Sequence, residues 1–232
     1  MSNEWFQFKQ FAIHQDRCAM KVGTDGVLLG AWAEGGAHIL DIGTGTGLIA
    51  LMMAQRFEDA MVEGIDIDKE ACCLAQTNAD DSPFANRVTV HEVAVQRFEA
   101  EKRFDSIVSN PPYFIDSLRN PDAKRSEARH TDTLTYDDLC KAAYRLLSDT
   151  GRMSIVIPVD YAKRFVASSS ISGFYLCKRH DIKTTSRKSP KRCLLAFSKA
   201  RPSTLDEQEF TMFDDNGNMT DWYAKLTDKF YL

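Results

Sequence analysis

The chain has 232 residues, of which 44% are hydrophobic and 27% are charged, as in an ordinary globular protein with a full-sized core. No apolar run is long enough to span a membrane, and the amino-terminal residues lack the basic start and apolar core of a signal peptide, so we expect a cytoplasmic protein. The net charge of -4 argues against a uniformly basic nucleic-acid binder, although it leaves room for local basic patches.

The cysteines show neither CxxC spacing nor a metal-like arrangement with the histidines. We therefore expect reduced, mostly buried cysteines and no metal site. The length favours a single domain over residues 1–232, in which residues 1–33 form an amino-terminal extension.

Two glycines, Gly23 and Gly26, flank Thr24 and Asp25 near the end of this extension. Their spacing predicts a turn, and the apolar residues that follow predict a short helix over residues 27–33 that Thr24 or Asp25 can cap. On the residues alone, this segment could simply cover the core.

A strand, a glycine-rich loop and a helix are predicted over residues 38–54. Asp41 precedes Gly43, Gly45 and Gly47, which we call the glycine loop, and an apolar run follows it. Glycines let a backbone pass close to a ligand, and a helix amino terminus offers free N–H groups to anionic or polar partners. The GxGxG spacing differs from the GxGxxG of nicotinamide and flavin enzymes, which indicates a nucleoside ligand without a pyrophosphate and disfavours an NAD-dependent oxidoreductase.

A second strand, residues 62–68, carries an acid about twenty residues beyond the glycine loop, where a carboxylate can take both ribose hydroxyls in a doubly wound fold. We predict that Asp66 is this ribose ligand and that Ile67 lies against the face of an adenine. Asp68 is predicted to be the N-cap of a helix over residues 69–79.

These motifs resemble motif I and the acidic loop of class I S-adenosylmethionine-dependent methyltransferases. The resemblance implies S-adenosylmethionine as the cofactor and an α/β fold with a doubly wound, seven-stranded, mostly parallel sheet whose last strand is antiparallel. Many of these enzymes place an aspartate after the third strand to bind the adenine amino group, but this chain has Ala94 there. We therefore expect backbone groups near Val95 to hold the adenine, or an affinity reduced by one hydrogen bond, about 1 kcal/mol.

The remaining elements follow from apolar periodicity. Strands are predicted at residues 87–91, 104–109, 152–158, 175–184 and 192–198. Helices are predicted at residues 135–147 and 162–169. Trp222, Tyr223, Leu226 and Phe230 repeat at helical spacing, so the tail is expected to pack against the core.

The stretch Asn110-Pro111-Pro112-Tyr113 directly follows the strand predicted over residues 104–109. The prolines remove two backbone donors, and Pro111 holds Asn110 extended, so that the Asn110 side chain and nearby carbonyls point outward as acceptors. Such a rim suits a planar group that carries an NH2. We predict that the Asn110 side-chain oxygen and the Pro111 carbonyl hold this amine, that Tyr113 stacks on the base, and that Asn110 also borders the cofactor.

Two basic stretches are candidates for phosphate contact. One is the polar segment 115–132, expected to be a mobile loop at the site mouth, and the other has seven Lys or Arg residues against one acid between Lys178 and Arg192. A charge run is often only a solvated hairpin, but beside a site for a planar amine we interpret both stretches as an RNA surface, with His130 and His180 also exposed. The predicted RNA contacts are Arg119, Lys124, Arg125, Arg129, Arg187, Lys188, Lys191 and Arg192.

Residues 8–11 and 16–32 closely resemble the start of bacterial tRNA1(Val) adenine-37 N6-methyltransferases, and the similarity includes residues 193–198 and 230–232. The resemblance implies a tRNA partner and methylation of an adenine next to the anticodon. It also implies that residues 21–26 close over the methionine end of the cofactor, with Lys21, Thr24 and Asp25 as binding residues. A monomer is expected.

Two alternatives stay open on the residues alone. The NPPY motif is shared by adenine-N6, cytosine-N4 and glutamine-amide methyltransferases, so a protein glutamine amide or a guanine N2 remains a candidate substrate. The second alternative is a methyltransferase-like RNA-binding module without catalytic activity, which Ala94 keeps open.

Overall fold

Parallel strands alternate with helices along most of the chain. The computed structural model describes residues 4–15, 21–112 and 134–232. The strands in these ranges are β1 (Trp5–Gln7), β2 (Ala12–His14), β3 (His38–Ile42), β4 (Met61–Asp66), β5 (Val88–Glu92), β6 (Phe104–Ser109), β7 (Leu147–Pro158), β8 (Tyr175–Thr185), β9 (Arg192–Ser198) and β10 (Asp206–Phe213). The helices are α1 (Thr24–Trp32), α2 (Leu48–Arg56), α3 (Lys69–Asp80), α4 (Tyr136–Leu146), α5 (Val159–Ile171) and α6 (Asp221–Thr227). None of these helices has the length and hydrophobicity that a membrane crossing requires.

Eight strands form one sheet in the order β10-β8-β9-β7-β6-β3-β4-β5, while β1 and β2 form a separate hairpin. The strands from β3 to β7 run parallel to one another, and β9 runs antiparallel to both β7 and β8. The doubly wound, mostly parallel fold is therefore confirmed. Because β4 lies on one side of β3 and β6 on the other, the sheet has a switch point between β3 and β6, and such folds bind ligands at the carboxyl ends of the strands there.

The predicted number of seven strands is one too few, since β10 adds an eighth at the edge of the sheet. β10 carries Asp206, Glu207 and Glu209, residue types that strands disfavour. It pairs in parallel with β8, and its acids meet cations of that strand. Lys183 Nζ lies 2.6 Å from Glu209 Oε1, and Arg179 Nε lies 3.9 Å from Glu207 Oε1. Pairing across the sheet thus outweighs a weak local preference.

The central strands are buried on both faces. In β3, Ile39 packs into the core on one side of the sheet and Leu40 into the core on the other, and both are fully buried. Leu194 and Leu195 divide in the same way in β9. Helices α1 and α2 cover the first face, and α4 and α5 cover the second. This two-sided burial explains why these strands read as continuous apolar runs.

Helix α1 begins at Thr24, so the turn expected around Thr24 and Asp25 is wrong. Neither residue is the N-cap, which is Gly23 and makes no side-chain capping hydrogen bond. Gly26 and Gly30 lie on one face of α1, against α2. A Cβ added to Gly26 would lie 3.0 Å from Leu48 Cδ2, and one added to Gly30 would lie 2.7 Å from Met52 Sδ. The two glycines therefore allow the helices to approach closely, which a spacing read only for turns does not reveal.

The carboxyl-terminal tail packs against the core, as its spacing predicts. Tyr223 is 2% exposed and Phe230 is 1% exposed. The backbone N–H of Lys9 donates to the Phe230 carbonyl over 2.8 Å, and the Phe8 ring stacks on Tyr231. The two ends of the chain therefore hold each other on the body of the protein.

Candidate active site

Gly43 and Gly45 of the glycine loop present bare backbone to open space. Gly43, Gly45 and Gly47 have φ values of 72°, 55° and 80°, in the left-handed region that favours glycine. The N–H of Gly43 donates to the Ile65 carbonyl over 2.8 Å, which ties the loop to β4. A Cβ added to Gly43 or Gly45 would meet no atom of the described residues within 4 Å. A ligand can therefore contact the backbone here directly.

Asp41 is fully buried next to the loop. Its Oδ2 accepts hydrogen bonds from Thr44 Oγ1 at 2.8 Å and from the Ala50 N–H at 3.2 Å. Its Oδ1 is buried as well and has no hydrogen-bond partner within the described part of the chain. Burial raises the pKa of Asp41 to about 7, against the lowering effect of the two hydrogen bonds. This unpaired acceptor therefore lies inside the core, behind the glycine loop.

Asp66 ends β4 and is joined directly to the loop. Its Oδ2 accepts a hydrogen bond from the Gly45 N–H at 3.0 Å, and its Oδ1 accepts one from the Asp68 N–H at 3.1 Å. Ile67 beside it is 56% exposed, as a surface for a planar ring would be. The predicted N-cap is confirmed, because Asp68 Oδ1 accepts from the Glu70 N–H at 2.8 Å. The ribose and adenine roles of Asp66 and Ile67 stay predictions.

A cavity of about 270 Å³ opens where the glycine loop meets α1 and the ends of β6 and β9. It brings together these predicted cofactor residues: Lys21, Thr24, Asp25, Gly43, Gly45 and Asn110. Its wall also includes residues that were not predicted to bind the cofactor: Thr44, Thr46, Leu48, Ile49 and Arg192. The other predicted cofactor residues lie outside the cavity wall: Asp41, Gly47, Asp66, Ile67 and Val95.

Arg192 forms an ion pair with Asp25 at this cavity, from Nε to Oδ1. Their side chains are 21% and 24% exposed. The prediction that Arg192 lies on an RNA surface did not include this contact, and spacing carries no signal for it because the two residues are far apart in sequence. The pair connects the amino-terminal extension to the antiparallel strand.

Asn110 stands beside the glycine loop because β3 and β6 are neighbours. Ile42 pairs in register with Ser109, whose Oγ donates to the Ile42 carbonyl over 2.7 Å. Asn110 therefore follows β6 where Gly43 follows β3. Pro111 is buried and Pro112 is exposed. Tyr113 lies outside the described residues, and the amine-binding roles of Asn110 and Pro111 stay predictions.

The Val95 backbone already forms a hydrogen bond within the protein. Its carbonyl accepts a hydrogen bond from Arg145 Nη2 at 3.2 Å, and its side chain is 4% exposed. Arg145 Nη2 also donates to the Phe98 carbonyl over 2.9 Å, which fixes this turn after β5. The structure holds the segment firmly, while its predicted contact with adenine stays a prediction.

Acidic residues form ion pairs with most of the cations between Lys178 and Arg192. Besides Arg179 and Lys183, Lys178 Nζ lies 2.5 Å from Glu34 Oε1, and Arg187 Nη2 lies 3.2 Å from Asp215 Oδ2. The predicted RNA residues Arg119, Lys124, Arg125 and Arg129 lie outside the described residues.

Lys188 and Lys191 are exposed at the tip of the β8–β9 hairpin, and no acid in the described ranges forms an ion pair with them. The Val159 N–H donates to the Lys191 carbonyl over 3.2 Å, so this tip borders the carboxyl end of β7. It therefore lies at the same edge of the sheet as Asn110.

The expectation that His180 is exposed is wrong. His180 is 7% exposed, and its Nδ1 accepts a hydrogen bond from Trp32 Nε1 at 2.9 Å. Burial lowers its pKa, which the nearby Asp206 carboxylate partly offsets. His130 lies outside the described residues. Among those that are described, no cluster of His, Cys, Asp or Glu could hold a metal ion.

Comparison with known proteins identifies the family. Residues 22–175 match the family model described as methyltransferase small domain. Over its full length the chain is 44% identical to a tRNA1(Val) (adenine(37)-N6)-methyltransferase of Bacteroides thetaiotaomicron and 40% identical to one of Tolumonas auensis, covering 99% and 98% of those proteins. The chain belongs to the tRNA1(Val) (adenine(37)-N6)-methyltransferase family. The resemblance of residues 8–11 and 16–32 to this family is thereby confirmed.

Solved structures place this family member on the same fold as other methyltransferases. A predicted O-methyltransferase from Agrobacterium tumefaciens gives a TM-score of 0.71 at 20% identity, with coverage of 89% of this chain and 96% of that one. A ribosomal protein L11 methylase from Lactobacillus delbrueckii subsp. bulgaricus gives 0.55 at 17% identity, with coverage of 80% and 83%. Identities this low support the fold alone.

Proposed function

We propose that this protein transfers a methyl group from S-adenosylmethionine to the exocyclic N6 amine of adenine 37 in tRNA1(Val). The observation that carries the proposal is the sequence identity of 40% to 45% over the full chain to relatives named for this reaction. The meeting of the glycine loop and Asn110 at one cavity supports it, because the donor and the acceptor amine must lie side by side.

The residues present fit the cofactor, which supplies an electrophilic methyl group on a sulfonium when bound. We assign the ribose to Asp66 and the adenine to Ile67 and the backbone near Val95. Gly43 and Gly45 allow a ligand to approach closely because their Cβ positions are open. We assign the methionine end to the cavity, beside Lys21, Thr24 and Asp25 of the amino-terminal extension.

Asn110 and Pro111 act on the amine of the target base. The lone pair of that nitrogen is normally delocalised into the ring. If the Asn110 side-chain oxygen and the Pro111 carbonyl each accept one N–H, they turn the lone pair toward the methyl donor and favour tetrahedral geometry. No strong base is needed, because the methylated ammonium is acidic enough to lose its proton to water.

The hairpin tip provides phosphate contacts for tRNA on this account. Lys188 and Lys191 are exposed at the edge of the sheet that holds Asn110. A base within a stacked helix cannot reach Asn110 beside this cavity, so we expect the target adenine to be turned out of its stack. Tyr113 is assigned to stack on it. Arg119, Lys124, Arg125 and Arg129 are assigned to the same RNA surface.

We further propose that residues 1–232 act as one domain and as a monomer. The extension supports the single-domain proposal, since Phe8 and Phe11 are buried in the core and α1 packs on α2. A tRNA substrate supports a cytoplasmic location.

The experiment that tests the proposed function is incubation of the protein with methyl-labelled S-adenosylmethionine and unmodified total tRNA, followed by nucleoside mass spectrometry. We expect labelled N6-methyladenosine in a single tRNA. Label in protein would favour a glutamine amide, label in N2-methylguanosine would favour guanine, and absence of label would favour the non-catalytic RNA-binding module.

A further inference from the structure

The ion pair between Arg192 and Asp25 has a position that RNA binding does not explain. Both side chains line the cavity beside the glycine loop, and less than a quarter of each is exposed. The RNA candidates of the same hairpin, Lys188 and Lys191, are exposed at its tip instead. Arg192 therefore faces the ligand cavity rather than the outer surface.

The guanidinium of Arg192 has N–H donors that its ion pair with Asp25 does not use. The ion pair with Asp25 uses Nε. Within the described ranges, no acceptor is hydrogen-bonded to the terminal nitrogens Nη1 and Nη2. Two parallel N–H donors in a planar fork match a carboxylate, and such charge-assisted pairs are stronger than neutral hydrogen bonds.

The backbone of Arg192 is rigidly placed. As the first residue of β9 it pairs with Pro158 of β7 and with Ile182 of β8. Asp25, in the first turn of α1, holds the side chain from the opposite wall. A guanidinium fixed from both ends loses little freedom on binding, which favours its use as an anion ligand.

The charges of the cavity also match a zwitterion. Lys21 and Arg192 contribute positive charge, while Asp25 contributes negative charge. The amino-acid end of S-adenosylmethionine carries one carboxylate and one ammonium. A partly buried site that contains both signs can accept such a group without leaving an uncompensated charge.

We propose that Arg192 binds the α-carboxylate of the methionine end of S-adenosylmethionine, and that Asp25 positions its guanidinium. This assignment rests on the proposed use of the cavity for the methionine end. It gives the antiparallel strand β9 a part in cofactor recognition, and it removes Arg192 from the predicted RNA surface.

Decarboxylated S-adenosylmethionine tests the proposal, because it keeps the sulfonium, the ammonium and the nucleoside but lacks the carboxylate. Calorimetry without RNA gives the dissociation constants of both ligands for the wild type, Arg192→Met and Arg192→Lys. We expect the wild type to prefer the intact cofactor by about tenfold or more, Arg192→Met to lose most of this preference, and Arg192→Lys to keep part of it.

The matched control is Lys163→Met, which removes an exposed cation of α5 at the same edge of the sheet and should leave the preference unchanged. Equal preference in Arg192→Met and the wild type would overturn the proposal, as would a wild type that does not distinguish the ligands. If Arg192→Met does not fold, Arg192→Gln provides the same comparison. Because no RNA is present, a failure of tRNA methylation would leave this result intact.

Discussion

The hydroxyl of Ser109 donates a 2.7 Å hydrogen bond to the carbonyl oxygen of Ile42, which joins the carboxyl ends of β6 and β3. Through this contact the residue that follows β6, Asn110, is held beside the residue that follows β3, Gly43. The glycine loop and Asn110, the proposed ligand of the amine, therefore share one rigid edge of the sheet. We propose that positioning of this kind is the main contribution of the site to catalysis.

Asn110→Ala should lower the rate of methyl transfer by about 100-fold or more, because it removes an acceptor that acts on the amine in the transition state. The affinity for S-adenosylhomocysteine should change little, since other groups hold the cofactor. Single-turnover kinetics and calorimetry separate the two effects. Asn216→Ala, in the exposed turn after β10, is the control. Retention of full activity in Asn110→Ala would refute the amine-binding role.

Asp66→Ala should weaken S-adenosylhomocysteine binding by about tenfold or more, because it removes the proposed ribose contact and the hydrogen bond from the Gly45 N–H. Asp68→Ala provides the matched comparison two residues away. It removes the N-cap of α3 and should cost about 1 kcal/mol of stability with little effect on affinity. Calorimetry and denaturant unfolding of both variants measure these effects. Equal affinity in the two variants would remove Asp66 from the site.

The buried carboxyl of Asp41 makes the stability of the free protein depend on pH. Its pKa is raised to about 7 by burial, whereas the unfolded carboxyl titrates near pH 4. The folded state therefore binds more protons between these values, so its stability is greatest at the acid end of this window and falls as the pH rises to about 7. The loss attributable to Asp41 should amount to a few kcal/mol.

Asp41→Asn should flatten this dependence, which denaturant unfolding at a series of pH values between about 4.5 and 8 can measure. Asp59→Asn, which changes an exposed acid in the turn before β4, is the control. If Asp41→Asn and the wild type lose stability with the same slope, the carboxyl does not retain its proton in the folded state.

Replacing both Lys188 and Lys191 with Glu should weaken tRNA binding and reduce its salt dependence. Loss of two phosphate contacts lowers the slope of log affinity against log salt concentration by roughly 1.4 to 1.8. Filter binding at several salt concentrations measures the slope. Lys102→Glu is the control, because this residue precedes β6 and lies at the opposite edge of the sheet. An unaltered slope would indicate that the tip of the hairpin is an ordinary solvated turn that does not contact RNA.

Local patterns predicted those parts of the fold that local chemistry determines. The bounds of β6 and β9 follow from apolar runs buried on both faces, and the cap of α3 follows from Asp68. The position of the candidate site at the carboxyl ends of the strands was also predictable, since the glycine loop and the NPPY motif each follow a strand.

The features that escaped prediction depend on contacts between distant residues. β10 is held by its pairing with β8 and by the burial of Met212, rather than by its own propensity. Gly26 and Gly30 serve the contact of α1 with α2, which no turn rule describes. Arg192 looks like one cation among seven in its stretch of sequence, and only the fold brings it to Asp25 and the cavity.

The most direct measurement compares two tRNA1(Val) transcripts that differ only in having adenine or guanine at position 37, each incubated with the protein and methyl-labelled S-adenosylmethionine. We expect one labelled N6-methyladenosine per molecule of the adenine transcript and none in the guanine transcript. Equal labelling of both transcripts, or labelling of neither, would contradict it.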